Sequence, residues 1–384
     1  MKFRRQLTVA SPLAATNIIG ATIDTFTRRD LGARVRSALT TEFDASEVIL
    51  TDSGTSALVL ALRIVGNSGA PVAMPAYACV DLIAAARRAG VRVRLFDVDP
   101  QTLSPDVDSL RRVIAEGVSA VVVAHLYGFP ADMTEVMSAA DEAGVPVIED
   151  AAQHACATIG GKATGSFGDL TVLSFGRGKG TTSGHGGALM SRGRFAGALR
   201  QLSSGLATTS SGKALTISAA SWTLGRPSVY GIPAAIPALH LGETVYHEAS
   251  EPQKMSRAAT ALLHRTFSGM HQAATVRRRN ALVLGSAADQ SRHIRAVHAI
   301  EKGESGYLRF PVLLHDARYD ETLGIAHGYP RPLSQEPEME PCMVPSNEPL
   351  HGAHELARRL VTLPTHHMVT RSDLAAMIRW LDER

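Results

Sequence analysis

The sequence predicts an α/β protein: a mainly parallel sheet with helices on both faces, joined to a smaller C-terminal α+β domain. Two observations carry this expectation. From Glu47 to about Met190, short apolar or β-branched runs alternate with amphipathic segments, the order that buries a parallel sheet between two helical layers. After about Arg200 the alternation stops. A chain of 384 residues has room for two or three domains. We place a large domain over 1–250, with an atypical segment at 203–250, and a small one over 251–384.

The elements follow in order. EVIL (47–50) reads as a strand, and the helix after it begins near Thr55 and runs through SALVLALRIVG. PVAMP (71–75) is a second strand, and CVDLIAAARRAG is a helix ended by Gly90. Next come the strand VRVRLFDVD, a helix across PDVDSLRRVIAEG, and the strand in SAVVVAHLYG. MTEVMSAADEAG has helical spacing and VPVIED is a strand; TVLSF (171–175) and GGALMS (186–191) are two more. Residues 203–225 are rich in Ser, Thr, Ala and Gly, without a clear period. The apolar stretch VYGIPAAIPALHLGETVYHE is broken by Pro233 and Pro237. A helical region resumes from Met255 and contains RRRN (277–280). The remainder has a strand-like LRFPVLL (308–314), a Pro-rich piece (329–349) and a closing helix from Arg371.

Composition excludes several function classes. Hydrophobic residues make up 45% and charged residues 20% of the chain, and the net charge of +3 comes without a long basic run, so dedicated nucleic-acid binding is not expected. Three cysteines, Cys79, Cys156 and Cys342, are too few for a disulfide framework and fit a reducing compartment. The basic N-terminus is followed by a run that Ser11, Pro12, Thr16 and Asn17 interrupt, so it reads as mature protein. No stretch reaches the roughly 18 apolar residues of a membrane span. The expectation is a soluble cytoplasmic protein.

SFGRGKGTTSGHGGAL, from Ser174 to Leu189, holds one lysine, Lys179, among its glycines. The P-loop pattern fails at both ends, at Leu173 and Gly180, and the dinucleotide fingerprint fails at Thr181. A lone lysine can instead be a nucleophile that forms a Schiff base with a carbonyl. Ligands of open parallel sheets sit beyond the carboxyl ends of the strands, and three polar groups fall there. Asp150 ends VIED, with Gln153 and His154 on the next turn. Ser174 ends TVLS. Ser53, Gly54 and Thr55 join a strand to a nearly all-apolar helix, where free N–H groups and the helix dipole suit an anion.

Together these groups fit pyridoxal 5'-phosphate. The phosphate would rest on Gly54 and Thr55 with the Ser174 hydroxyl as a further donor. Asp150 would keep the pyridine nitrogen protonated, which makes the ring a better electron sink. Gln153 would bond the phenolic oxygen. Lys179 would form the Schiff base and then move the proton, with the glycines around it leaving the amine room to swing. His125 reads as a satisfied strand-end histidine. His366 and His367 have no carboxylate or cysteine at ligand spacing, so no metal site is expected.

TDSGTSAL, FDVDPQTLSPD, HLYGFPADM, VIEDAAQ, GSFGDLTVLSF and the lysine loop with its closing GG resemble, in order and spacing, the DegT/StrS (DegT/DnrJ/EryC-type) sugar aminotransferases. The likeness is dense over 47–190. Afterwards it thins to RRRNA (277–281) and LVTLPTHHMV (360–369). It implies the aspartate-aminotransferase fold type I with a seven-stranded-type sheet, pyridoxal phosphate, and small-molecule partners only. Those partners are a glutamate or glutamine donor and a keto sugar, commonly nucleotide-linked, or a related polyol. The context implied is secondary-metabolite or polysaccharide biosynthesis. Lys179 becomes the Schiff-base lysine, Asp150 the partner of the ring nitrogen and Gln153 that of the phenolic oxygen; Gly54, Thr55 and Ser174 hold phosphate. Members with histidine at the lysine position are sugar dehydratases.

The resemblance also implies a homodimer whose sites are shared. The family's N-Y-R-M motif is echoed by Gln253-Lys254-Met255, with Lys254 in place of the arginine that reaches the partner's phosphate. Where the family stacks an aromatic ring on the cofactor, PAYAC leaves Cys79, and Tyr77 is the nearby substitute. Two alternatives stay open: elimination or aldol-type cleavage with the same cofactor, and a non-catalytic regulatory member of the family.

Overall fold

A computed structural model describes residues 4–236, 244–291, 293–315 and 319–383. Helices α1 (Ala15–Thr25) and α2 (Leu31–Phe43) lead into strand β1 (Glu47–Thr51) and helix α3 (Gly54–Val65). Then come β2 (Val72–Pro75), α4 (Asp81–Ala89), β3 (Val93–Phe96), α5 (Val107–Ala115), β4 (Ala120–Ala124), α6 (Met133–Ala143) and β5 (Val147–Asp150). After the short β6 (Thr158–Ile159) and β7 (Lys162–Ala163), β8 (Leu170–Ser174) and β9 (Gly187–Ser191) bracket the lysine loop.

One seven-stranded sheet has the order β1-β9-β8-β5-β4-β2-β3. Only β9 runs against its neighbours; β8, β5, β4, β2 and β3 pair in parallel. Strand β4 shows why an unbroken β-branched run is needed here. Val122 packs into the core under α3 and α4, while Val121 and Val123 pack on the other side with Val113 of α5 and Met133 of α6. Successive side chains of a strand point to opposite faces, so a sheet covered twice must be apolar at every position. Helix α3 is itself buried around most of its circumference, which accounts for its nearly all-apolar sequence.

Past β9 lie α7 (Ala196–Gly205), α8 (Ser211–Leu224) and α9 (Gly231–Ala234). Helix α8 occupies the segment where the sequence shows no period. Its hydroxyls bond back to carbonyls one turn earlier, Thr216 to Gly212 at 2.9 Å, Ser218 to Ala214 at 2.7 Å and Thr223 to Ala219 at 2.9 Å. Hydroxyls satisfied on their own helix need no partner elsewhere, and only Ala214 and Ser218 of this helix are buried. The second half of the apolar run after Pro233, residues 237–243, lies outside the described residues.

Lys254 pairs with Thr51 in antiparallel sense, and α10 (Arg257–Thr266) packs against α1, α2 and α8. Helix α11 (Met270–Ala288) then leads to an antiparallel sheet of order β10-β12-β14-β13. Its strands are β10 (Ile294–Ala296), β12 (Phe310–Leu314), β13 (Ala326–His327) and β14 (Leu360–Leu363); β11 (Gly303–Glu304) pairs instead with β6. Helices α12 (His351–Arg359) and α13 (Arg371–Asp382) complete the chain. A separate apolar core joins α11, α13 and this sheet. No helix among the described residues is long and apolar enough to cross a membrane.

Candidate active site

The carboxyl ends of β1, β4, β5 and β8 open onto one small cavity of about 70 Å³. Gly54, Thr55, Asp150, Gln153, Ser174 and Lys179 all line it. Of the residues assigned to the cofactor in the sequence, Tyr77 and Lys254 do not. The cavity shares Gln153, Lys179 and Tyr329 with a cleft of about 1440 Å³. It is therefore the floor of a site with room for a cofactor and a second molecule.

At the start of α3 the Ser53 hydroxyl caps the helix, accepting the Ser56 N–H at 3.0 Å. The Ala57 N–H reaches the Ser53 carbonyl, so the Gly54 and Thr55 N–H groups are the ones a helix cannot satisfy from within. Gly54 is required on steric grounds as well: a Cβ there would lie 2.7 Å from the Ser174 Cβ. The glycine thus brings the helix dipole and the Ser174 hydroxyl onto the same spot.

Strand β5 ends in two carboxylates with opposite surroundings. Glu149 is fully buried and receives N–H groups from Gly165 at 2.6 Å, Phe167 at 2.8 Å and Gly168 at 2.9 Å, with the His125 Nε2 at 2.8 Å. Burial pushes its pKa up, but the His125 contact and the backbone donors outweigh that and hold it at about 2. His125 Nδ1 accepts the Ala131 N–H at 3.0 Å, so Nε2 carries the proton donated to Glu149. The histidine is satisfied, as the sequence suggested, although its residue also borders the cavity. Asp150, on the cavity side, holds the Ala152 N–H at 3.0 Å. Burial raises its pKa, opposed by that N–H and by the charge of Lys179. A carboxylate so placed favours a cationic partner.

The lysine loop differs from the expectation of glycine slack. Phe175 N–H bonds to the Gly186 carbonyl at 2.8 Å, and the Phe175 carbonyl accepts the Ser183 N–H at 2.9 Å and the Thr182 hydroxyl at 3.1 Å. The Lys179 carbonyl accepts the Ser11 hydroxyl at 2.9 Å. A Cβ at Gly180 would lie 2.9 Å from the Ala155 Cα. Glycine here allows close packing of a pinned loop, and any freedom of the amine belongs to the lysine side chain.

Tyr329 is the residue the sequence reading missed. It lines both cavities, and its hydroxyl accepts from Gln153 Nε2 at 2.6 Å. The Gln153 Oε1 accepts the Tyr127 N–H at 3.0 Å, so the amide is oriented by both of its ends. Tyr77 stands behind this group and lines neither cavity. Its hydroxyl accepts the Tyr329 N–H at 2.8 Å and lies 3.4 Å from the Tyr127 hydroxyl. As a ring to cover the cofactor it is misplaced, because its polar end is used to fix Tyr329. Cys79 does line the floor, and burial pushes its thiol up to about 12. The one local signal for Tyr329 was its position in the stiff Tyr-Pro-Arg-Pro sequence. Lys254 sits beside Thr51, with its N–H on the Ala207 carbonyl at 2.7 Å, away from the cavity of its own chain.

Comparison with known proteins extends this geometry. The model of the DegT/DnrJ/EryC1/StrS aminotransferase family matches residues 34–382. The chain belongs to that family. Among curated relatives, it is 32% identical over 185 residues to dTDP-4-dehydro-2,3,6-trideoxy-D-glucose 4-aminotransferase of Saccharopolyspora spinosa, covering 46% of this chain and 48% of that one. It is 40% identical over 139 residues to L-glutamine:2-deoxy-scyllo-inosose aminotransferase of Streptomyces kanamyceticus, covering 35% and 32%. The chain thus spans about half or less of the length of the curated relatives it matches. The fold of this family member is that of E. coli GDP-4-keto-6-deoxy-D-mannose-3-dehydratase, solved with bound hydrated PLP. The TM-score is 0.76 at 14% identity, over 99% of both chains.

Proposed function

We propose that the chain is a pyridoxal-phosphate-dependent aminotransferase acting on a keto sugar, commonly nucleotide-linked, or a related polyol, with glutamate or glutamine as donor. The observation that carries this reading is the convergence of one amine, one strand-end carboxylate and one helix N-terminus on a single cavity floor. The relatives' printed activities, on a dTDP-linked sugar and on a cyclitol ketone, support both acceptor classes.

When bound, pyridoxal phosphate supplies an electron sink for the bond that breaks at the substrate carbon. The chain's own groups do the rest. Gly54 and Thr55 N–H groups and the Ser174 hydroxyl hold the phosphate. Asp150 would keep the ring nitrogen protonated, since a carboxylate raised in pKa by burial is returned to its charged form by a cation beside it. Gln153, held by Tyr127 and Tyr329, donates to the phenolic oxygen. The Lys179 amine would hold the cofactor, and its Nζ would be the group that moves a proton. In the cleft, Arg177, Arg226 and Arg309 suit a phosphate-bearing acceptor or a donor carboxylate.

The active unit is a cytoplasmic homodimer in this reading. Ile19, Ile23 and Phe26, at helical spacing on and just after α1, are 61%, 62% and 84% exposed, an apolar stripe that suits burial against a second copy. Lys254, which misses its own cavity, completes the partner's phosphate site.

The test is the donor half-reaction. Reconstituted protein should show a visible cofactor band that bleaches on adding glutamate or glutamine, with one equivalent of 2-oxo acid released per site. A band that bleaches without 2-oxo acid release rules the aminotransferase reading out, and no band at all removes the cofactor.

A further inference from the structure

The basic run RRRN has no part in the site as described so far, yet two of its arginines reach toward it. Arg277 is fully buried, and burial without a carboxylate beside it lowers its pKa to about 10. Its Nε donates to the Gly306 carbonyl at 3.0 Å and its Nη2 to the Ala155 carbonyl at 3.1 Å. Arg278 repeats the pattern one residue on: Nε to the Ser305 carbonyl at 3.0 Å and Nη2 to the Cys156 carbonyl at 2.7 Å. Its Nε also lies 3.1 Å from Glu304 Oε1. Two guanidinium forks on α11 therefore bind the same pair of segments, 155–156 and 305–306.

What they hold is unusual. Ala155 and Cys156 have φ values of 48° and 64°, two consecutive left-handed residues that both carry a Cβ. That conformation is disfavoured for L-residues and persists only where surrounding contacts enforce it. The strained turn lies between two groups of the site. Gln153 precedes it by two residues. Gly180, next to Lys179, rests on it so closely that a Cβ would sit 2.9 Å from the Ala155 Cα. The other clamped segment runs into Leu308 and Arg309, which line the cleft.

We infer that Arg277 and Arg278 are positioning residues: their carbonyl clamps hold the Ala155–Cys156 turn, which sets Gln153 and the Lys179 loop at a fixed separation. This inference rests on the reading that Lys179 and Gln153 serve the proposed reaction. The arginines touch neither cofactor nor substrate. They act by fixing the height of the amine over the floor, where misplacement by an ångström or so costs orders of magnitude in rate.

The experiment compares the wild-type protein, Arg278→Gln, Arg277→Lys, and Arg278→Gln combined with Ala155→Gly and Cys156→Gly, all loaded with pyridoxal phosphate. Arg278 is partly exposed, so its variant tests the clamp even if Arg277→Lys fails to fold. Three quantities are read: kcat, KM for the donor, and the pH midpoint of the visible band. Arg278→Gln should lower kcat about tenfold with KM within about twofold. The midpoint should move by about half a pH unit, because the Gln153 contact to the phenolic oxygen is disturbed. The glycine pair accepts left-handed backbone without strain and should restore kcat to within about threefold of wild type. A lower melting temperature with kcat and midpoint unmoved would overturn the clamp, as would a glycine pair that deepens the loss. A wild-type protein with no visible band would instead overturn the functional reading on which the clamp rests.

Discussion

The floor of the site gathers Gly54, Asp150, Ser174 and Lys179 from the ends of neighbouring strands in one sheet. Its rim gathers the N-terminal segment from Arg4 to Leu13, helix α8 and residues 308–330 from three distant parts of the chain. Floor groups are oriented by the element that carries each of them: a helix cap at Ser53, a strand end at Asp150, a pinned loop at Lys179. Groups where floor and rim meet are oriented by one another. Gln153 is held by Tyr329, which is held by Tyr77, across sequence separations of 176 and 252 residues. The floor should therefore govern whether chemistry occurs, and the rim what is bound and how well it is aligned.

The comparison breaks first at Lys179. Lys179→Ala should abolish transamination while phosphate-anchored cofactor still binds weakly. Mixing it with Lys254→Ala under subunit exchange should restore activity, since some hybrid dimers carry one site with both lysines intact. Recovery absent despite exchange, or a protein that is monomeric by sedimentation, would refute the shared site. Asp150→Asn keeps the shape of the floor and removes its charge. Turnover should fall about a hundredfold or more, as one pKa unit is about 1.4 kcal/mol of differential interaction. Near-normal turnover would reduce this carboxylate to a strand-end cap.

Arg309 sharpens the contrast from the rim. Its guanidinium carbon lies 5.7 Å from the centroid of the Tyr127 ring, and it has no ion-pair partner among the described residues. Arg309→Ala should raise KM for an anionic substrate about tenfold with kcat little changed; a fall in kcat at constant KM would place Arg309 on the floor instead. The smallest effect on turnover is expected at Glu149, the carboxylate that faces the protein. Glu149→Gln should lower the melting temperature by several degrees and leave turnover within about threefold. Because its pKa is depressed from 4.5 to about 2, the stability it contributes is present above about pH 4.5 and lost as pH falls toward 2. In the variant that acid dependence should be weaker; an unchanged acid melting profile would contradict the assignment.

The same contrast explains what was legible in the sequence. Ser53-Gly54-Thr55, Asp150 and Ser174 each lie at a junction between a periodic run and a turn, so local patterning is enough to mark them. The sheet was legible for the same reason, since a strand buried on both faces has to be apolar at every position. Tyr329 was not, because its role depends on Gln153 and Tyr77 meeting it through the tertiary fold. Tyr77 was misassigned for the converse reason: proximity to Cys79 in sequence says nothing about which way its ring points. Helix α8 escaped because hydroxyls bonded within a helix remove the apolar period by which helices are read. The glycines around Lys179 were read as freedom, whereas at Gly180 the absent side chain makes space for Ala155.

The most direct test of the account is where the cofactor attaches. Borohydride reduction of the reconstituted protein, followed by peptide mapping, should place the label on Lys179 alone, in the peptide that spans the loop after Ser174. Label on Lys162, Lys213 or another lysine would contradict the assignment of the floor and every role derived from it.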